Sequence, residues 1–392
     1  MNRIYLDNAA TTPIDEMVIE QMLPWLREQY GNASGIYETG REARKAVEEA
    51  RRQVARALNC SASEIFFTGS GTESDNWAIK GVAWAHQSKG RHIISTAIEH
   101  HAVLHTLQAL EKQGFSVTYV PVNEFGRVNP ENIRAAIRDD TILVSVMAAN
   151  NEIGTLQPIA QIGQITKERG VLFHTDAVQA VGAVPVDVQE WQVDLLSLSA
   201  HKFHGPKGVG ALYVKKGVQL EPLLHGGAQE RNRRAGTENL PGIVGLGKAI
   251  ELACRDIEGK SQAVTALRDI LIAGILADIP QVRLNGDPVH RLPNNVNISF
   301  RYVEGEALLL RLDLAGIAAS SGSACTSGSL NPSHVLSAIG LPHEIAHGSL
   351  RLSLSKRTTR AEIDEVLRVL REVVRKLREM SPLYDEGEAD VF

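Results

Sequence analysis

Between residues 64 and 214 the chain alternates short, almost wholly apolar runs with helix-length segments, and this alternation limits the folds open to it. Residues 64–68, 92–96, 116–120, 141–147, 171–173, 194–198 and 209–214 read as strands. Residues 76–87, 103–113, 130–137 and 159–169 read as helices. Near-continuous apolar strands separated by helices predict an α/β fold with a mostly parallel sheet covered on both faces. Helices over 15–29 and 37–58 precede this region, and helices over 240–256 and 261–277 lead out of it. The pattern then changes. Short strands over 282–284, 295–300 and 349–353, helices over 304–314 and 360–378, and a Gly/Ser loop predict a smaller α/β unit. The expected division is a large domain over 15–258 and a small domain made of 1–14 and 259–392, the small one carrying the cysteine loop 320–329.

Two of the apolar runs end in chemistry. One delivers Asp176 and the other stops at Ser199-Ala200-His201-Lys202. In α/β proteins the carboxyl edge of the sheet is where ligands bind. An acid able to hold a proton on a pyridine nitrogen, with a lysine able to form a Schiff base, is what pyridoxal phosphate requires. An Asp and a Lys that merely cap two strands at the surface fit these residues equally well.

The bulk numbers exclude several classes. At 392 residues the chain can bury a large core. A formal charge of −5 lacks the basic excess of a nucleic-acid-binding protein. No run of about 18 apolar residues is present, so no membrane span is expected. The first residues lack the charged and apolar regions of a signal peptide. Cys60, Cys254 and Cys325 are an odd count without close spacing, which speaks against a disulfide framework or a cysteine metal cluster. A reducing cytoplasm is the expected setting.

Other stretches carry chemistry, each with a plainer reading beside it. Gly69-Ser70-Gly71-Thr72-Glu73-Ser74, between a strand and a helix, offers backbone N–H groups and a hydroxyl to a phosphate. A turn with a helix cap explains it as well. The loop 227–236 holds Arg231, Arg233 and Arg234, which either anchor an anion or form a solvated charge run. His100 and His101 follow a strand, with His105 four residues on, and could stack on a flat cofactor, pair on a metal or be structural. His343-Glu344-Ile345-Ala346-His347 spells the zinc-protease pattern, but Pro342 and Gly348 leave room for a turn or two of helix only. Cys325 lies in Ala319–Ser329 among small polar residues, which makes it a candidate nucleophile beside the reading of an incidental surface thiol. Arg351 sits on an apolar strand and calls for a carboxylate, from a substrate or from within the chain.

Y-L-D-N-A-A-T-T, F-T-G-S-G-T-E-S-D-N, E-H-H-A-V-L, N-N-E-I-G, H-T-D-A-V-Q, S-A-H-K-F-H-G-P-K-G, R-R-A-G-T-E-N and S-S-G-S-A-C-T-S-G-S-L occur in that order. Together they resemble the cysteine desulfurases of the NifS/IscS type, of the class V aminotransferase group with the type I pyridoxal-phosphate fold. The resemblance runs from Tyr5 to about Leu383. It implies pyridoxal 5'-phosphate as cofactor, L-cysteine as substrate, L-alanine as product and a persulfide on Cys325 as the sulfur carrier. Lys202 would be the Schiff-base lysine and Asp176 the partner of the pyridine nitrogen. Gln179 would bond the ring hydroxyl and His100 would stack on the ring. Gly71, Thr72, Ser199 and His201 would hold the phosphate, with Thr237 reaching in from a second subunit. Asn151 would meet cofactor and substrate, and Arg351 the substrate carboxylate. The implied partners are a second copy of the chain and an iron–sulfur scaffold protein, with no nucleic acid and no membrane. The destination of the sulfur is iron–sulfur cluster assembly, for nitrogenase or for housekeeping. No resident metal is expected, beyond a transient iron–sulfur cluster on Cys325. Transamination, selenocysteine lysis and a zinc hydrolase through His343 and His347 are the rival activities. One region departs from the family: G-N-P-S-S-x-H is replaced by Gly31-Asn32-Ala33-Ser34-Gly35-Ile36-Tyr37.

Overall fold

The computed structural model describes residues 3–321, 333–382 and 384. The alternating region folds largely as its pattern predicts. In chain order, β1 (Ile4–Tyr5) leads through α1 (Glu16–Arg27) and α2 (Glu38–Leu58) to β2 (Ile65–Thr68) and α3 (Gly71–His86). β3 (His92–Thr96), α4 (His101–Glu111), β4 (Ser116–Val120), α5 (Pro130–Ala136), β5 (Thr141–Ser145) and α6 (Ile159–Arg169) follow. β6 (Leu172–Asp176), β7 (Leu195–Ser199) and β8 (Gly210–Val214) complete a seven-stranded sheet of order β2-β8-β7-β6-β5-β3-β4.

Five neighbours in that order, β7-β6-β5-β3-β4, are parallel. β8 is antiparallel to both β7 and β2, so β2 runs in the same direction as β7. The carboxyl ends of β2, β3, β5, β6 and β7 therefore meet at one edge of the sheet. Every residue of β2, β3, β5, β7 and β8 is buried, as a sheet covered on both faces requires. One core packs β6, β7 and α6 with α2 and the helix Leu240–Cys254. Another packs the opposite face against α3 and α4.

The later part of the chain has its own core. β9 (Val282–Leu284), β10 (Asn295–Phe300) and β12 (Ser349–Ser353) form an antiparallel sheet of order β12-β10-β9. β11 (Ile317–Ala318) pairs in parallel with β1, which ties the start of the chain to this unit. Leu6 accordingly packs with Leu271, Ile298, Leu352 and Leu370 rather than with the large sheet. The helix Arg360–Glu379 opens on a capping box in which Thr359 and Glu362 satisfy each other's backbone N–H groups. Among the described residues no helix is long and apolar enough to cross a membrane.

Candidate active site

The strand ends at the shared edge line one cavity of about 420 Å³, within the size range of small-molecule sites. Asp176 enters as the last residue of β6, and Lys202 closes the short 3-10 turn that follows β7. They are not surface caps. Asp176 is 5% exposed, and burial raises its carboxyl to about 6 although Val178 N–H and the Lys202 charge both favour the ionised form. The Lys202 amine donates to the carbonyls of Ala9 at 2.6 Å and Ala10 at 2.9 Å. The segment after β1 is thereby drawn over the sheet edge.

α3 brings the glycine turn. The expected helix began at Asn76, whereas the observed one begins at Gly71, with Ser70 accepting the N–H of Glu73. Glu73 in turn accepts the N–H of Gly69 at 2.7 Å, so the Gly/Ser stretch is the start of the helix and not a loop before it. A Cβ on Gly71 would lie 2.7 Å from Val178 Cγ2 and 3.3 Å from Ser199 Cβ. Only glycine lets the helix end come this close to the β6 and β7 termini.

Gly71, Thr72, Asn151, Gln179, Ser199 and His201 all line the cavity, as do His100 and Arg351. His100 caps α4: its Nδ1 accepts the N–H of Ala102 at 3.1 Å. Burial, then the nearby Lys202 charge, pushes its imidazole down to about 4, so the ring is neutral and its one proton sits on Nε2. Burial likewise brings His201 to about 4, with Nδ1 bonded to Thr11 Oγ1. Gln179 Nε2 donates to Ala9 O. Arg351 is buried on β12, its Nη1 donating to Asn151 O at 3.0 Å and its Nη2 to Asp7 Oδ1 at 3.0 Å, while Nε has no partner among the described residues.

Two expected site residues stand apart. Cys325 lies outside the described residues. Thr237 is exposed and does not line the cavity of its own chain. Two arginines of the loop before it are engaged within this chain. Arg234 pairs with Glu73, and Arg231 donates to the carbonyls of Ala62 and Ser63. Glu230, Arg231 and Asn232 all take left-handed backbone angles, held by a buried bidentate pair between Glu230 and Arg51.

His101, one of the histidines weighed in the sequence, lines the cavity too, and so do Asp75, Glu152 and His334, which the sequence did not single out. Burial raises Glu152 to about 7, and Ser333 Oγ donates to its Oε2 at 2.5 Å. Asp75 lies one turn after Gly71 on the same face of α3, a relation that shows only once the helix start is known. Among the described residues, Asp75, His100 and Asp176 are the one trio of metal-type ligands that come within 4.8 Å of each other. His343 and His347 lie on a five-residue helix that runs into β12, too short for the zinc-protease arrangement.

A lysine and a buried acid at the carboxyl edge of a mostly parallel sheet, with a helix N-terminus beside them, define the type I pyridoxal-phosphate fold. The chain belongs to the aminotransferase class-V family, whose model matches residues 4–366, and within it to the cysteine desulfurases. It is 61% identical over 380 residues to a Methanosarcina thermophila protein named cysteine desulfurase IscS, covering 97% of this chain and 94% of that one. It is 58% identical over 389 residues to a Clostridium botulinum protein of the same name, covering 98% of each. Among solved structures, a NifS-like protein superposes with a TM-score of 0.90 at 42% identity, covering 95% of this chain and all of that one. A NifS-like protein from Rickettsia africae gives 0.87 at 34% identity, over 95% of this chain and all of that one.

Proposed function

We propose that this cysteine desulfurase works with pyridoxal phosphate held in the cavity at the sheet edge, and passes sulfur from L-cysteine to Cys325. The observation that carries the reading is the meeting of Lys202, Asp176 and the α3 N-terminus in a single cavity. The donor set suits the cofactor: a helix start and the hydroxyls of Thr72 and Ser199 for a phosphate, a buried carboxyl for a ring nitrogen, and an amine for an aldehyde. The close approach at Gly71, which a Cβ would block, supports the same fit.

When bound, pyridoxal phosphate supplies an aldehyde that takes up an amine and a protonated ring that accepts an electron pair. The chain's own groups do the rest. Lys202 would hold the cofactor through its amine, and that amine, once freed, would carry the substrate's α-proton. Asp176 would keep a proton on the ring nitrogen. The neutral His100 would lie against the ring and offer its Nε2–H as a proton donor. Gln179 would bond the ring hydroxyl, and His201 would join Thr72 and Ser199 at the phosphate. Arg351, oriented by Asp7 and Asn151, binds the substrate carboxylate. The Cys325 thiolate would attack the substrate sulfur; the sulfur–sulfur bond forms as the carbon–sulfur bond breaks, its electron pair passes to the substrate's β-carbon, which takes up a proton, and the products are a persulfide on Cys325 and alanine. Thr237 completes the phosphate site of a second copy in a homodimer. An iron–sulfur scaffold protein in the cytoplasm takes the sulfur. We assign 15–258 to the cofactor-binding domain and the rest to a small domain; the separate core around Leu6, Ile298 and Leu370 supports this.

The test is product analysis with L-cysteine. The native enzyme should form alanine and protein-bound sulfane sulfur. Cys325→Ala should bind cofactor and cysteine yet yield no bound sulfur, and Lys202→Ala should lose borohydride trapping of the cofactor. Sustained desulfuration by Cys325→Ala would remove that residue from the mechanism.

A further inference from the structure

Asp75 has no part in the reaction as described, yet it lies at its centre. It is 1% exposed and lines the cavity. Its Oδ1 has no hydrogen-bond partner among the described residues. One oxygen of Asp75, one of Asp176 and one ring nitrogen of His100 lie within 4.8 Å of one another. Two carboxylates this close and both out of water do not ionise together, and one retains a proton.

The surroundings decide which. Facing the pair are His174 beside Asp176 on β6, Ser197 on β7, Glu99 after β3, His100 before α4 and Lys202 after β7. Asp176 has the stronger claim to a charge, since Val178 N–H donates to it at 2.9 Å and the Lys202 charge acts on it. Asp75 has neither. His174 Nε2 lies 3.6 Å from its Oδ1, but burial pushes that imidazole down to about 3, so it is neutral. Burial, and then the Asp176 charge, raise the Asp75 carboxyl well above its ordinary range, outweighing Ser197, which favours the ionised form.

We propose that Asp75 is a positioning residue that keeps a proton against Asp176, so that a single negative charge faces the ring nitrogen. This rests on the cofactor reading above. The experiment is infrared spectroscopy of native protein and Asp75→Asn near neutral pH, with and without 13C-labelled aspartate. A protonated-carboxyl stretch that moves with the aspartate label should be present in the native protein and absent from Asp75→Asn. Labelling separates it from buried glutamates such as Glu99, and the native protein alone gives the answer if the variant does not fold. In the holoenzyme the Asn variant, neutral like the acid it replaces, should leave the pH midpoint of the cofactor's absorbance unmoved. Removal of a charge would shift that midpoint by about one unit or more. A midpoint shift of that size, or no labelled carboxyl band, overturns the proposal. Absence of pyridoxal phosphate binding would instead overturn the cofactor reading, and the infrared band of the cofactor-free protein would still report on Asp75.

Discussion

Arg351 carries five N–H donors on a rigid fork, and two of its nitrogens are already engaged by Asn151 O and Asp7 Oδ1. The pairing with Asp7 offsets the cost of burying a guanidinium that is 2% exposed in an apolar strand. It also fixes the plane of the fork, which a flexible ammonium cannot imitate. Arg351→Lys should therefore lower kcat/KM for cysteine ~10–100-fold, the equivalent of a charged hydrogen bond, mainly through KM. The spectrum of bound cofactor should not change; an unaltered KM would take Arg351 out of substrate binding. Arg351 and Lys202 were legible in the sequence because a cation in, or at the end of, an apolar run is conspicuous. Asp75 was not. In Thr72-Glu73-Ser74-Asp75-Asn76 two acids stand two residues apart, and nothing in the pattern says that Glu73 meets Arg234 while Asp75 is buried. That difference depends on where the helix begins.

α3 begins at Gly71 because Ser70 and Glu73 satisfy the first N–H groups between them, a relative of the capping box one residue out of register. The Ser-x-x-Glu spacing was readable, but the glycines on either side of Ser70 read more strongly as a turn, which delayed the expected start to Asn76. The strands were easier, since their apolar runs are continuous and their ends are set by polar residues. The arginine loop was the hardest element: its partners Glu73, Arg51 and the carbonyls of Ala62 and Ser63 are remote in sequence. The tight seat of α3 makes a prediction about the element as a whole. Gly71→Ala would press a methyl group against Val178 Cγ2, and overpacking of that kind costs about 1–3 kcal/mol. Pyridoxal phosphate titrated into the cofactor-free protein should bind ~5–100-fold more weakly. Adding Val178→Ala should restore most of the loss, because the two changes share one contact. Failure of the second change to help would mean that the α3 N-terminus does not depend on that approach.

The molecule as a whole places several titratable groups in buried or half-buried positions, because five strand ends and the start of α3 converge on one edge of a sheet buried on both faces. These groups make stability depend on pH in a definite direction. Burial raises Glu99 from 4.5 to about 8 and Glu152 from 4.5 to about 7. For both, the folded chain holds a proton that the unfolded chain has lost, so their contribution is complete below 4.5 and disappears as pH rises through the folded values. Burial lowers His100, His174 and His201 from 6.5 to about 4, 3 and 4. There the unfolded chain binds the extra protons, so stability is lost as pH falls below 6.5. Between 4.5 and 6.5 the two sets oppose each other, but above 6.5 the histidines no longer contribute and the acids act alone. The cofactor-free protein should therefore melt at progressively lower temperature from pH 6.5 to 8. Glu99→Gln should flatten the upper part of that fall, since Glu152 has finished titrating by then while Glu99 has not. Thermal denaturation across this range checks it. A melting temperature that is flat or rising there, in the native chain, would mean that Glu99 and Glu152 are ionised inside the fold.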